Sequence, residues 1–335
     1  MDTDYALPLD VLPDAIDAFM QTREHWFDSL SLTAEGEAYF INDLLSWLPN
    51  STITVAFLGG DTALHREIET ASRQITDACN VSFDFGFDTA TGKFRTWSTN
   101  DTERQADIRV SFDQAGFSSL IGRDSINPAV SPPNHPMGGR PYQRSLNLGG
   151  FQVLPPANAV GVIRHEFLHA IAFQHEHQHP AGTCDQQFRW NDEPGYVLTT
   201  NAAGTYIPDA AGRRPGIYTY MSGYPNNWTR QKVDHNLRPR PAAGALLGSF
   251  DRASIMLYRF ASLFYFTFPN PCSPTGNGLD LSSGDIEGLL SVYPFEEHEA
   301  VRQSARREGV VELLSGWKEL PDDLRAGIDN LRHRK

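Results

Sequence analysis

The chain has 335 residues, 40% hydrophobic and 21% charged, enough to bury a full core in one large domain or two ordinary ones. A net charge of -13 and a pI near 5.2 argue against nucleic acid or an anionic membrane surface as partners, since both call for a basic face. No run approaches the roughly eighteen apolar residues that cross a bilayer. The opening MDTDYALPLDVLPDAIDAFM has acids where a signal peptide needs a basic start. The expectation is therefore a cytoplasmic chain, or a secreted one if a leader has been removed. The three cysteines, Cys79, Cys184 and Cys272, make neither a disulfide framework nor a zinc-finger spacing. Cys79 follows a helical pattern and reads as a small buried side chain. Cys184 and Cys272 lie in proline- and glycine-rich loops and could pair.

From residue 10 to 48, apolar positions recur at helical spacing: Ile16, Phe19, Met20 and Phe27, then Tyr39, Phe40, Leu44, Leu45 and Leu48. TITVAFL, 52–58, predicts a strand, after which Asp61 can cap a helix running to about Ala78. VSFDFGF (81–87) and ADIRVSF (106–112) alternate with period two and predict strands. Residues 122–144 read as a long surface loop, and SLNLGG (145–150) as a short strand. Asn158 is a suitable N-cap for a helix over roughly 159–173. Residues 180–245 are expected to be mostly loop, with at most one helix near 227–236. LSSGDIEGLLSVYPF (281–295) predicts a capped helix stopped by Pro294, followed by a charged, helix-prone tail. Interleaved strands and helices followed by a loop-rich half point to an α+β fold with a mixed sheet and a central active helix.

His165-Glu166-Phe167-Leu168-His169 carries the chemistry. Two histidines four apart on a helix differ by about 40° around its axis and about 6 Å along it, so both imidazoles reach one ion. Glu166, one residue on, points beside that pair, where it can take a proton from water. This is the HExxH arrangement of zinc hydrolases. A third ligand must come from beyond the helix. His175 qualifies only if the chain turns sharply between Ala172 and Gln174, since a continued helix would carry it about 15 Å away. His177 or His179 would need a longer excursion. Both read as solvated loop residues, and the remaining histidines, including His65 and His235, as surface positions.

His165, His169 and His175 fall at the spacing HExxHxxxxxH, and Ser254-Ile255-Met256-Leu257-Tyr258 matches SxMxY. Together with ADIRVSF, SLNLGG and LSSGDIEGLLSVYP, these motifs make the chain resemble the astacin branch of the metzincin zinc metallopeptidases over about residues 50–295. The resemblance implies a metzincin-type fold: a twisted mixed sheet with a backing helix and an active-site helix. It divides the chain into an N-terminal helical extension (1–50), a catalytic domain (51–296) and a C-terminal helical tail (297–335). It implies one catalytic Zn²⁺ on His165, His169 and His175, and Met256 as an apolar floor beneath them. Glu166 would be general base toward a zinc-bound water, and Tyr258 would stabilise the oxyanion. The strand edge at Leu146, Asn147 and Leu148 would pair with extended substrate. The implied reaction is hydrolysis of a peptide or protein substrate, with neither nucleic acid nor membrane as partner; no pattern in the chain sets an oligomeric state.

The chain departs from the family in two ways. Ala172 stands where the family has the glycine that ends the active helix in a left-handed turn, which costs alanine about 1–2 kcal/mol. Glu176 pairs with a processed N-terminus in the family, whereas this chain carries a long N-terminal segment, so a local salt bridge is an equal reading. That acidic segment could shield the cleft. The aromatic stretch Arg259–Phe268 reads either as the wall of a specificity pocket or as packed core. A zinc-binding protein of the same fold with little turnover is the competing function.

Overall fold

The computed structural model describes residues 12–29, 44–239, 248–267, 270–318 and 320–332. Tyr39, Phe40, Phe268 and His333 lie outside them, as does the side chain of Phe27.

Strand β1 (Ser51–Leu58) forms from a β-branched run whose Ile53, Val55 and Phe57 point into the main core. Helix α2 (Thr62–Asp77) begins where the Asp61 carboxylate accepts from the Leu64 N–H, 2.8 Å away. It buries Leu64, Ile68, Ala71 and Ile75 along one stripe. Strands β2 (Val81–Asp84) and β3 (Ile108–Ser111) flank β1 in parallel. Strands β4 (Phe117–Ser119) and β5 (Leu146–Leu148) complete a sheet of order β2-β1-β3-β5-β4, in which only β4 runs antiparallel. Helix α3 (Ala159–Ala170) packs beside α2 and delivers Ile163, Phe167 and Leu168 to the core. This is the mixed-sheet α+β architecture expected.

Two local expectations are corrected. First, Leu146–Leu148 is not a sheet edge: β5 is paired on both sides, with Val110 opposite Leu146 on β3 and Phe117 opposite Leu148 on β4. All three residues are buried. The edge belongs to β4, whose sequence Phe-Ser-Ser is too short and too polar to register as a strand pattern. Second, the loop-rich second half holds three short helices among its described residues: α4 (Cys184–Gln187), α5 (Ile217–Ser222) and α6 (Arg230–Leu237). They surround a second apolar cluster containing Phe188, Trp190, Met221 and Phe260–Tyr265. The aromatic stretch after Met256 is thus largely packed core. A Cys184–Cys272 disulfide, with Cα atoms 5.0 Å apart, stitches this cluster.

Helix α7 (Ser283–Val292) opens on a reciprocal capping box between Ser282 and Asp285. Helices α8 (Glu297–Ser315) and α9 (Asp322–Arg332) follow. They share the main core with α1 (Asp14–Ser29): Ile16 and Met20 lie in one cluster with Val310, Leu314, Leu324 and Ile328. Trp26 meets Trp317 edge-on at 5.7 Å. Among the described residues, no helix is long and apolar enough to cross a membrane.

Candidate metal centre and cleft

The end of α3 sets the site. The Phe173 N–H donates to the Leu168 carbonyl (3.0 Å) and the Ala172 N–H to that of His169 (2.8 Å). This six-to-one and five-to-two pair ends a helix on a left-handed residue. That residue is Ala172, at φ +77°. Room for its methyl comes from across the fold: Gly122 faces it, and a Cβ at Gly122 would fall 2.9 Å from the Ala172 Cβ. The next two carbonyls are capped by distant side chains. The Trp47 indole donates to Ala170 (2.8 Å) and the Tyr293 hydroxyl to Ile171 (2.8 Å). The helix therefore stops at Ala170 rather than near residue 173, and the Asn158 side chain makes no capping bond at its start.

The reversal returns His175 to the helix. Candidate ligand atoms of His165, His169 and His175 all lie within 4.8 Å of one another, and the Nε2 atoms of His169 and His175 are 3.0 Å apart. Nδ1 of His165 lies 2.9 Å from the Ile255 carbonyl, and Nδ1 of His169 lies 2.7 Å from that of Phe173. A carbonyl can only accept, so each Nδ1 carries the proton and each Nε2 keeps its lone pair for a metal. Three neutral imidazoles converging in this way suit zinc, which is bound by nitrogen at about 2.0–2.1 Å and keeps an open position when the protein gives three ligands. Glu166 is buried beside them at 1% exposure.

Met256 is buried at the seam where Ile255 and Met256 join the main cluster and Leu257 joins the second. One carboxylate shapes this turn: Asp285 accepts from the Ser254 hydroxyl (2.6 Å) and the Ile255 N–H (3.0 Å). The Ile255 carbonyl then faces His165, so the cap of α7 reaches this candidate ligand through one peptide unit. The Tyr258 ring lies 4.3 Å from that of His175 and 5.9 Å from that of His165.

Several histidines differ from expectation. His177 is fully buried, with Nε2 donating to the Asn236 carbonyl at 2.9 Å, and burial pulls its pKa down to about 4. His65 is buried, stacked on Phe57 at 3.9 Å. His235 faces Asp17 (3.1 Å) and Glu24 (3.5 Å) of α1. No sequence pattern marks these three: α6 covers His177, α1 half-buries His235, and the aromatic side chains of the sheet enclose His65. His179 is half-buried. Glu176 accepts from the Asp251 N–H at 2.7 Å, and burial pushes its pKa up to about 7. It lines a cavity of about 610 Å³ behind Met256, together with Phe250, Asp251 and Asp285.

Helix α1 lies beside His169 and His175, with partners on both sides. Arg23 makes a buried, two-point ion pair with Asp124 on one side (2.7 and 2.8 Å). On the other side Asp14 meets Lys232, and Gln21 accepts from Gln231 on α6. Between α1 and the ligands is a gap of about 40 Å³, bordered by Asp17, Met20, Ser119, His169 and His175.

No protein-family model and no curated protein sequence matches the chain. Among solved structures, one described as the structure of myroilysin matches with 26% identity and a TM-score of 0.50, covering 75% of this chain and 97% of that one. The chain is similar in fold to that zinc-protease neighbour, and its three-histidine cluster could form the corresponding site. A crystal structure of myroilysin also matches, with 24% identity, coverage of 75% and 86%, and a TM-score of 0.45. So does high choriolytic enzyme 1, a hatching enzyme zinc-protease from Oryzias latipes (Medaka fish), with 18% identity, coverage of 71% and 87%, and a TM-score of 0.37. The mixed sheet, helix α3 and the three-histidine cluster stand in the arrangement the motifs imply.

The left-handed turn at Ala172 makes a stability prediction. Ala172→Gly relieves about 1–2 kcal/mol of backbone strain but loses a buried methyl and gains unfolded-state freedom, so the net change stays within about 1 kcal/mol. Ala172→Val puts a branched side chain at positive φ against Gly122 and should cost more than about 2 kcal/mol. Urea unfolding of the metal-free protein measures both. Equal stability of the two variants would contradict a left-handed residue 172.

Proposed function

We propose that the chain is a zinc-dependent endopeptidase in which one ion, held by His165, His169 and His175, works beside Glu166 and Tyr258 on a peptide or protein substrate. The observation that carries this reading is the convergence of three imidazoles, two with Nδ1 fixed on backbone carbonyls, next to a buried glutamate. A structural zinc site needs no such glutamate. A bound zinc ion would supply Lewis acidity, lowering the pKa of a coordinated water toward about 7. Glu166 would take the proton of the attacking water and pass it to the leaving amine. Tyr258, with its ring against His175, would donate its hydroxyl to the oxygen on which charge develops. Met256 would keep the floor of the site apolar.

Substrate would pair with β4 rather than with Leu146, Asn147 and Leu148, which are paired on both sides. Phe117–Ser119 ends the sheet, and Ser119 borders the gap beside His169 and His175. An extended chain laid along that edge would pass the ligands. Residues 51–296 would form the catalytic domain, with the helical segments before and after it as extensions.

A peptidase assay on denatured protein with added zinc separates this reading from a zinc-binding protein with little turnover. Glu166→Ala should lower kcat by at least about a hundred-fold while zinc stays bound. Equal activity of wild type and variant at equal zinc content would reject the catalytic role.

Helix α1 is proposed to shield the cleft, because the gap it leaves is too small for a peptide. Removing residues 1–43 should raise kcat/KM on a peptide substrate; unchanged or lost activity in a folded product would refute the shield. The cut before Leu44 keeps Leu44, Leu45 and Trp47 in the core but removes the buried Ile16 and Met20, so circular dichroism must first show that the product is folded.

The Cys184–Cys272 bond supports the secreted alternative, since disulfides persist in oxidising compartments. Alkylation and mass measurement of protein from its native source should find both sulfurs blocked. Two free thiols would point back to the cytoplasm.

A further inference from the structure

We infer that His177 is a positioning residue that holds the Tyr258 ring against the metal side of the cleft, and this inference rests on the catalytic reading of Tyr258 given above. His177 belongs to a cluster of rings around Tyr258. Tyr258 lies 4.9 Å from it at 21° between planes, and His175 lies 5.3 Å away at 30°. Phe260 closes the arrangement edge-on at 5.1 Å. The Tyr258 ring is therefore held among four others, those of His177, Phe260, His175 and His165, the last two belonging to proposed metal ligands. Tyr258 itself is only partly buried, so its rotamer is not fixed by enclosure alone.

Filling volume does not call for histidine here. Nε2 donates to the Asn236 carbonyl, which leaves Nδ1 as an acceptor, and that atom is buried with no hydrogen-bond partner among the described residues. A phenylalanine would fill the same space without burying that polar atom. What the imidazole adds is a flat ring whose plane is pinned. The hydrogen bond to Asn236 on α6 prevents rotation about the terminal torsion, which is otherwise broad for aromatic side chains. A pinned ring gives Tyr258 a fixed surface to stack on, and offset stacking is the preferred arrangement of such pairs. A tyrosine that must meet charge developing on substrate gains most from being placed before the substrate arrives.

A double-mutant cycle on the full, zinc-loaded chain tests the inference. With a fluorogenic peptide, His177→Leu should lower kcat roughly ten-fold, with KM within about two-fold of wild type and zinc content unchanged. In a Tyr258→Phe background the same change should cost less than about two-fold, because the hydroxyl being positioned is already gone. His177→Gln keeps a donor toward Asn236 but offers no ring, and should behave as His177→Leu does. Equal losses in both tyrosine backgrounds, or wild-type kcat in His177→Gln, would overturn the inference. A second readout needs neither zinc nor turnover. In metal-free protein with labelled aromatic rings, a nuclear Overhauser contact between Tyr258 and His175 should be present in wild type and lost in His177→Leu. Its persistence would overturn the positioning role whatever the activity. If Tyr258→Phe costs nothing while Glu166→Ala abolishes turnover, the catalytic reading of Tyr258 fails instead, and the Overhauser contact still decides the placement of the ring.

Discussion

The site depends on how one helix ends. Helix α3 must stop within a turn of His169 and reverse, or His175 could not approach the other two histidines. Stopping a helix inside a core leaves carbonyl groups that water cannot reach, each of which needs a donor. Here the donors are the N–H groups of Ala172 and Phe173, the Trp47 indole and the Tyr293 hydroxyl. Two of the four come from side chains more than a hundred residues away in sequence. The metal geometry is thus underwritten by the segment before β1 and by the end of α7, not by the histidine motif alone.

The same distribution explains how an alanine serves at a left-handed position that favours glycine. The cost of a left-handed alanine is local, but the clash its methyl would cause is removed elsewhere, at Gly122. Strain at a functional turn persists when surrounding structure over-determines it. Around Ala172 that structure includes the capped carbonyls on either side and a buried apolar environment.

The central parts of this fold were legible in the sequence, and the reasons differ element by element. The HExxH pair was readable because helix geometry fixes the relation of residues four apart. The strand at 52–58 and the Asp61 cap were readable because alternation and capping are local signals. Strand β4 was not: three residues of Phe-Ser-Ser carry no period, and they form a strand only because β5 offers them a partner. Mistaking β5 for the edge follows directly, since strand order is a property of the sheet and not of any one segment. The burial of His177 and the covering of His235 are hidden in the sequence for a related reason. Histidine in a polar stretch looks solvated until the chain that covers it, here α6 for one and α1 for the other, is known. The short helices between residues 180 and 245 were hidden by their length, each under three turns, among glycines and prolines.

Asp285 serves two structures at once. Its side chain accepts from the Ser282 N–H to start α7 and from Ser254 and Ile255 to shape the turn whose carbonyl orients His165. Local opening of α7 would therefore release the orientation of a ligand, and an ion bound to that ligand would resist the opening. Affinity for metal and the local stability of a helix outside the cleft become reciprocal quantities, linked through a single carboxylate.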